Sequence, residues 1–157
     1  MLALSSGATT VLGFAPFGLG LVPLFTLALL FHLWRSAPHS AASAWLGYAF
    51  GLGLMGFGVT WIRISIAQFG GVNMALAVVI TGLFVLFMAG YFALSGWIAW
   101  RFRQSPWWGW VAAVAGVWVL VEWLRGWFLT GFPWLALGYS QIDLPLAGAR
   151  IVIQGFG

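Results

Sequence analysis

Glu122 and Arg125 stand three residues apart near the end of an apolar run, a spacing that sets both side chains on one face of a helix. Two chemistries fit the pair. It can be a neutralised couple, since an unpaired charge at bilayer depth costs on the order of 2.5–3.5 kcal/mol. Alternatively, Arg125 can contact a lipid phosphate, because a guanidinium offers two parallel donors to phosphate oxygens. The remaining inventory is thin: Asp143 is the only other acid, and the chain has neither Cys nor Lys. His32 and His39 flank Arg35 without the carboxylate or thiolate partners of a metal site. No paired catalytic carboxylates, Ser/His/Asp set, thiol nucleophile or glycine-rich phosphate loop can be assembled. No catalytic residue, metal site or cofactor site is therefore expected in these residues.

The second concentration of suggestive residues follows directly. From Trp123 the chain reads WLRGWFLTGFPWLALGYSQ, with Trp127, Pro133, Trp134, Tyr139 and Gln141 among repeated glycines. Amphipathic rings broken by Gly and Pro suit a chain that leaves a helix and lies along the lipid headgroup layer. A similar reading applies to Trp61 through Gly71, where Arg63 and aromatics precede a Gly-Gly break: either an interfacial belt or a lip facing substrate.

The elements that would position these groups follow from solvent chemistry. Hydrophobic residues make up 63% of 157 positions and charged residues 5%, against about 25% charged in a soluble domain. Such a surface belongs in a bilayer, where helices or a closed barrel are the only spanning forms, and these runs are too long and too little alternating for barrel strands. About 20 apolar residues cross the hydrocarbon. Four runs pass: 16–34, 41–62, 73–100 and 105–124. Residues 2–14 are short, either a trimmed span or a half-inserted one, and Pro16 separates them from the next run. Gly47 with Gly51, and Ala49 with Gly53, are four apart and let helices approach closely, within the chain or between two copies.

The net charge of +4 comes from six Arg. They are scattered between apolar runs, which argues against nucleic acid, whose phosphates require clustered cations. The positions instead suit topology control, with Arg35, Arg101 and Arg103 cytoplasmic and Arg63, Arg125 and Arg150 outside. No basic region precedes the first apolar stretch, so no removable signal peptide is expected. The pattern breaks off at Gln154-Gly155-Phe156-Gly157, as if within a longer protein.

Phe14-Ala-Pro-Phe-Gly18, Gly58-Val-Thr-Trp-Ile62 running into Ser65-Ile66 and Phe69-Gly-Gly71, and Glu122-Trp-Leu-Arg-Gly-Trp127 occur in an order that resembles the membrane region of apolipoprotein N-acyltransferases. The most specific block is Thr130-Gly-Phe-Pro-Trp-Leu135 with Gly138-Tyr-Ser-Gln141. The resemblance implies a helical membrane domain carrying a nitrilase-like domain on its periplasmic face. It implies acyl transfer from a phospholipid to the α-amino group of the diacylglyceryl-cysteine that begins a lipoprotein, by a ping-pong route through a cysteine thioester. It also implies a glutamate and a lysine in support, without metal or organic cofactor. None of that catalytic triad can be carried over, and Arg63 stands where relatives are expected to hold a neutral, often aromatic residue.

The expected fold is therefore all-α: a polytopic transmembrane helical bundle of four clear spans plus one short N-terminal span, and a fragment of a larger membrane enzyme. Residues 1–130 form the membrane region and 131–157 a periplasmic-side interfacial segment. The expected setting is the bacterial inner membrane, with several crossings. Expected partners are membrane phospholipid and a diacylated lipoprotein, and the fragment alone is expected to be inactive. Arg125, Trp127, Pro133, Trp134, Tyr139 and Gln141 are the candidate lipid-facing or domain-supporting residues. A small noncatalytic membrane subunit or transporter component is the alternative. Ion transport would usually need ionisable groups at mid-membrane, and the centres of the runs hold little beyond Thr81 and Ser95.

Overall fold

Hydropathy places most of the helices, and proline and glycine override it at the start of the second. In the computed structural model, which describes residues 1–128 and 131–141, six α-helices run in sequence. These are α1 (Leu2–Thr10), α2 (Val22–Ser36), α3 (Ser40–Gly58), α4 (Ile62–Phe69), α5 (Met74–Ala99) and α6 (Trp107–Trp127). The fold is all-helical among the described residues, as the apolar runs require. Asp143, Pro145, Arg150 and the rest of 142–157, with Leu129 and Thr130, lie outside the described residues.

The run expected at 16–34 is shorter as a helix. Residues 14–21 form successive turns, with Phe17 and Gly18 amides both bonded to the Phe14 carbonyl and Gly18 at φ 64°. The Ala15–Pro16 peptide is cis. Helix α2 starts only at Val22 and has 15 residues, about 22 Å at 1.5 Å each. That falls short of the hydrocarbon thickness. Helices α5 with its 3-10 extension to Phe102, and α6, are each long and apolar enough to cross. Helices α3 and α4 pass the same test only together, bent by 51° at the break between them. By length, then, two or three spans qualify among the described residues against the four expected, because Pro16, Gly18 and Gly20 interrupt an apolar stretch.

Two of the six helix starts are capped by side chains. Asn73 Oδ1 accepts the Leu76 amide at 2.8 Å, and His39 Nδ1 accepts that of Ala42 at 3.0 Å, each satisfying a donor that lacks an intrahelical partner.

Helix α3 occupies the centre, against α1 on one side and α5 on the other. The small residues make this possible. A side chain at Gly47 would strike the Phe92 backbone of α5, and one at Gly53 the Leu4 backbone of α1. The Gly47 and Gly51 pair thus serves packing within the chain. Buried hydroxyls complete the contacts, Ser43 Oγ donating to the Gly96 carbonyl at 2.8 Å and Thr10 Oγ1 to Thr26 Oγ1 at 2.8 Å. Phe50, Phe92, Trp34 and Trp118 fill the core between α2, α3, α5 and α6.

Alternating helix directions give the bundle two unlike ends. One gathers Arg35, His39, Arg101 and Arg103; the other gathers the 14–21 turns, α4, Arg125 and residues 131–141.

Candidate functional site

At the second end, α6 stops at Trp127 and the chain doubles back onto its last turn. Gly131 makes the reversal: its φ is 74°, and a Cβ there would collide with the Gly126 carbonyl. The Phe132 amide then donates to the Arg125 carbonyl at 2.9 Å.

Three polar side chains fasten the returning segment. Arg125 points inward and is only 3% exposed, with its guanidinium over the Phe92 ring. Its Nη1 donates to the Trp134 carbonyl at 2.9 Å, and its Nη2 lies 3.5 Å from Glu122 Oε1. The same Glu122 oxygen accepts the Leu137 amide at 2.8 Å. Gln141 Nε2 donates to the Gly20 carbonyl at 3.0 Å, tying this segment to the turns after α1.

These ties hold one side of an open cavity of about 560 Å³. Val11 to Gly18 contribute one wall, Gly58 and Trp61 a second, and Pro133 to Leu135 with Tyr139 and Ser140 a third. Trp134 meets Trp61 edge to face at 5.4 Å between ring centroids, and Leu135, at φ 57°, packs onto Gly58. The lining is mostly apolar carbon with a few hydroxyl and carbonyl groups, which suits an alkyl chain ending in a polar head.

The six residues expected from sequence occupy different places. Pro133, Trp134 and Tyr139 line the cavity; Arg125 and Gln141 stand behind it and hold its wall; Trp127 lies outside, half exposed and packed on Trp123 at 5.3 Å. Glu122 and Arg125 do form the ion pair their spacing suggested. The inward guanidinium is spent on Trp134 and Glu122. Sequence reasoning did not single out Gly58 or the Val11–Gly18 wall as site residues, although Gly58 and Phe14–Gly18 lie in the quoted family blocks; Trp61 belongs to the segment whose alternatives are a belt or a lip facing substrate, and it lines the cavity. Arg63 sits on α4, exposed, in a helix none of whose residues is buried.

Among the described residues no group of three His, Asp or Glu side chains could hold a metal ion. Glu122 is the single described acid. The arrangement can bind and orient an apolar ligand; it presents no nucleophile with a base beside it.

Apolar helices of spanning length, packed through glycine and leaving large hydrophobic side chains on the outside, define a helical membrane protein. The family model for the apolipoprotein N-acyltransferase N-terminal domain matches residues 6–153, and the chain belongs to that family. It is 48% identical over 158 aligned residues to the apolipoprotein N-acyltransferase of Nitrosomonas europaea, covering 99% of this chain and 31% of that protein. It is 42% identical to that of Methylococcus capsulatus, over all of this chain and 31% of the relative. It is 44% identical to that of Vibrio vulnificus, over 90% of this chain and 28% of the relative. The chain thus spans about a third of the length of these relatives.

Proposed function

We propose that this chain is the membrane portion of an apolipoprotein N-acyltransferase of the bacterial inner membrane, and that its cavity receives an acyl chain of the donor phospholipid. The reaction would move that chain to the N-terminal diacylglyceryl-cysteine of a lipoprotein. Residues 1–130 serve as the membrane region, crossing several times with the Arg35, Arg101 and Arg103 end in the cytoplasm. Residues 131–157 serve as the interfacial segment on the opposite side. Pro133, Trp134 and Tyr139 contact lipid in the cavity, Arg125 and Gln141 support them, and Trp127 faces bulk lipid. The thioester chemistry of the family requires a cysteine, which these 157 residues lack, so they bind and orient substrate and are inactive alone.

The observation that carries this reading is the cavity of about 560 Å³ at one end of an apolar bundle, within the range of about 300–1,000 Å³ usual for small-molecule sites. The test uses the complete enzyme with a phospholipid donor and a diacylglyceryl-cysteine peptide. Val11→Trp fills the cavity from one wall and Trp134→Ala removes a ring from another. Each is expected to raise KM for phospholipid about tenfold, or about 1.4 kcal/mol of lost binding. Unchanged kinetics in both variants would place acyl binding elsewhere.

A further inference from the structure

The opposite end of the bundle has no part in the cavity, yet it carries half of the arginines. Arg35 closes α2, and Arg101 and Arg103 follow α5. Each lies over an indole ring: Arg35 over Trp110 at 5.8 Å, Arg101 over Trp97 at 3.6 Å and Arg103 over Trp100 at 3.7 Å. A guanidinium on an aromatic face is held at a fixed depth while its edge stays open to acceptors.

The three differ in how far they are committed. Arg35 Nη2 donates to the Ser105 carbonyl at 3.0 Å, bridging α2 to the start of α6. Arg101 makes one hydrogen bond, from Nη1 to the Trp97 carbonyl at 3.2 Å, and Arg103 makes none among the described residues. Most of the ten N–H donors on these two side chains are therefore available. Trp100, beneath Arg103, is itself anchored by its Nε1 to the Ala37 carbonyl at 2.9 Å. Among the described residues the side chains around them are positive or neutral. Helices α3 and α6 start at this end while α2 and α5 finish there, so the helix poles offset one another, and the C-terminal pole of α5 helps to hold Arg101 and Arg103 in place. The one described acid, Glu122, is fifteen residues into α6, about 22 Å away along the axis. Phe102, Trp107 and Trp108 are exposed around the arginines, as rings at the headgroup level are.

We propose that Arg101 and Arg103 form a binding site for the phosphate of an anionic phospholipid in the leaflet that holds this end of the bundle. The charge and ring geometry of that end define this site whether or not the cavity binds the acyl donor. Positive side chains near an anionic membrane surface contribute about fivefold each to lipid affinity.

The experiment is native mass spectrometry of the complete protein in detergent, titrated with phosphatidylglycerol or phosphatidylcholine. Wild type is expected to bind the first phosphatidylglycerol at least tenfold more tightly than phosphatidylcholine. The double variant Arg101→Gln with Arg103→Gln should lose that preference, and Arg63→Gln, at the other end, should retain it. Equal affinity for the two lipids in wild type, or a preference removed by Arg63→Gln and not by the double variant, overturns the proposal. Should the double variant not fold, a phosphatidylglycerol bearing a photoreactive headgroup decides the matter on wild type. Labelling within residues 97–108 supports the site, and labelling confined to residues outside it overturns it.

Discussion

Arg125 Nη1 donates a hydrogen bond to the backbone carbonyl of Trp134, nine residues further along, and this bond turns the end of α6 and the aromatic segment into one unit. The cation is buried, and its hydrogen bond holds a backbone from which Trp134 and Tyr139 project. A buried cation without its partners is costly, so the bond and the Glu122 pair stand or fall together.

Replacing Arg125 with Ala strands both the Trp134 carbonyl and the Glu122 carboxylate, and is expected to cost about 3 kcal/mol of stability. Thermal unfolding in detergent measures this. In the complete enzyme, acyl transfer should fall by a larger factor than the amount of protein in the membrane. An equal fall in both would reduce Arg125 to a stability residue.

Glu122 has two duties, one electrostatic and one as acceptor for the Leu137 amide. Glu122→Gln keeps an oxygen for that amide, whereas Glu122→Ala removes it. The glutamine variant should therefore be the more stable of the two by about 1 kcal/mol. Identical melting temperatures would mean that the Leu137 bond contributes nothing.

Glycines of the bundle divide by what a methyl group would meet. Gly53→Ala pushes against the Leu4 carbonyl, and Gly47→Ala against that of Phe92; each should lower stability by about 1–3 kcal/mol through overpacking. Gly82 and Gly90 on α5 have open space there. Alanine at either should be neutral, or stabilising by up to about 1 kcal/mol from helix propensity. A melt that drops equally for both sets would contradict the close α1, α3 and α5 packing.

Asn73→Ala removes the acceptor for the Leu76 amide at the start of α5, at an expected cost of about 1 kcal/mol, while Asn73→Asp should preserve the cap. Hydrogen exchange at residues 74–77 gives a local readout. Exchange there should quicken in the alanine variant and not in the aspartate one.

Hydropathy and the 20-residue ruler located α3, α5 and α6 to within a few residues, because long apolar runs with Asn73 and Pro106 at their edges have one helical solution in lipid. The same ruler misread residues 16–21, where Phe17, Leu19 and Leu21 count as apolar although Pro16, Gly18 and Gly20 set the backbone. The i, i+3 rule foretold the Glu122–Arg125 pair. It carried no information about Trp134, whose carbonyl reaches Arg125 only because Gly131 takes a positive φ. Likewise, the family blocks pointed to Pro133, Trp134 and Tyr139, but that they share a cavity with Val11 and Gly58 depends on tertiary packing between distant segments.

The glycine contacts of α3 have one more consequence. Where backbone rests on backbone few side-chain rotamers can yield, so α1, α3 and α5 are expected to move together as one wedge. Any widening of the cavity for a bulky guest falls to its rim, the turns at 14–20 and the strip at 131–141. There the bond from Gln141 to the Gly20 carbonyl acts as a clasp between two otherwise separate lips.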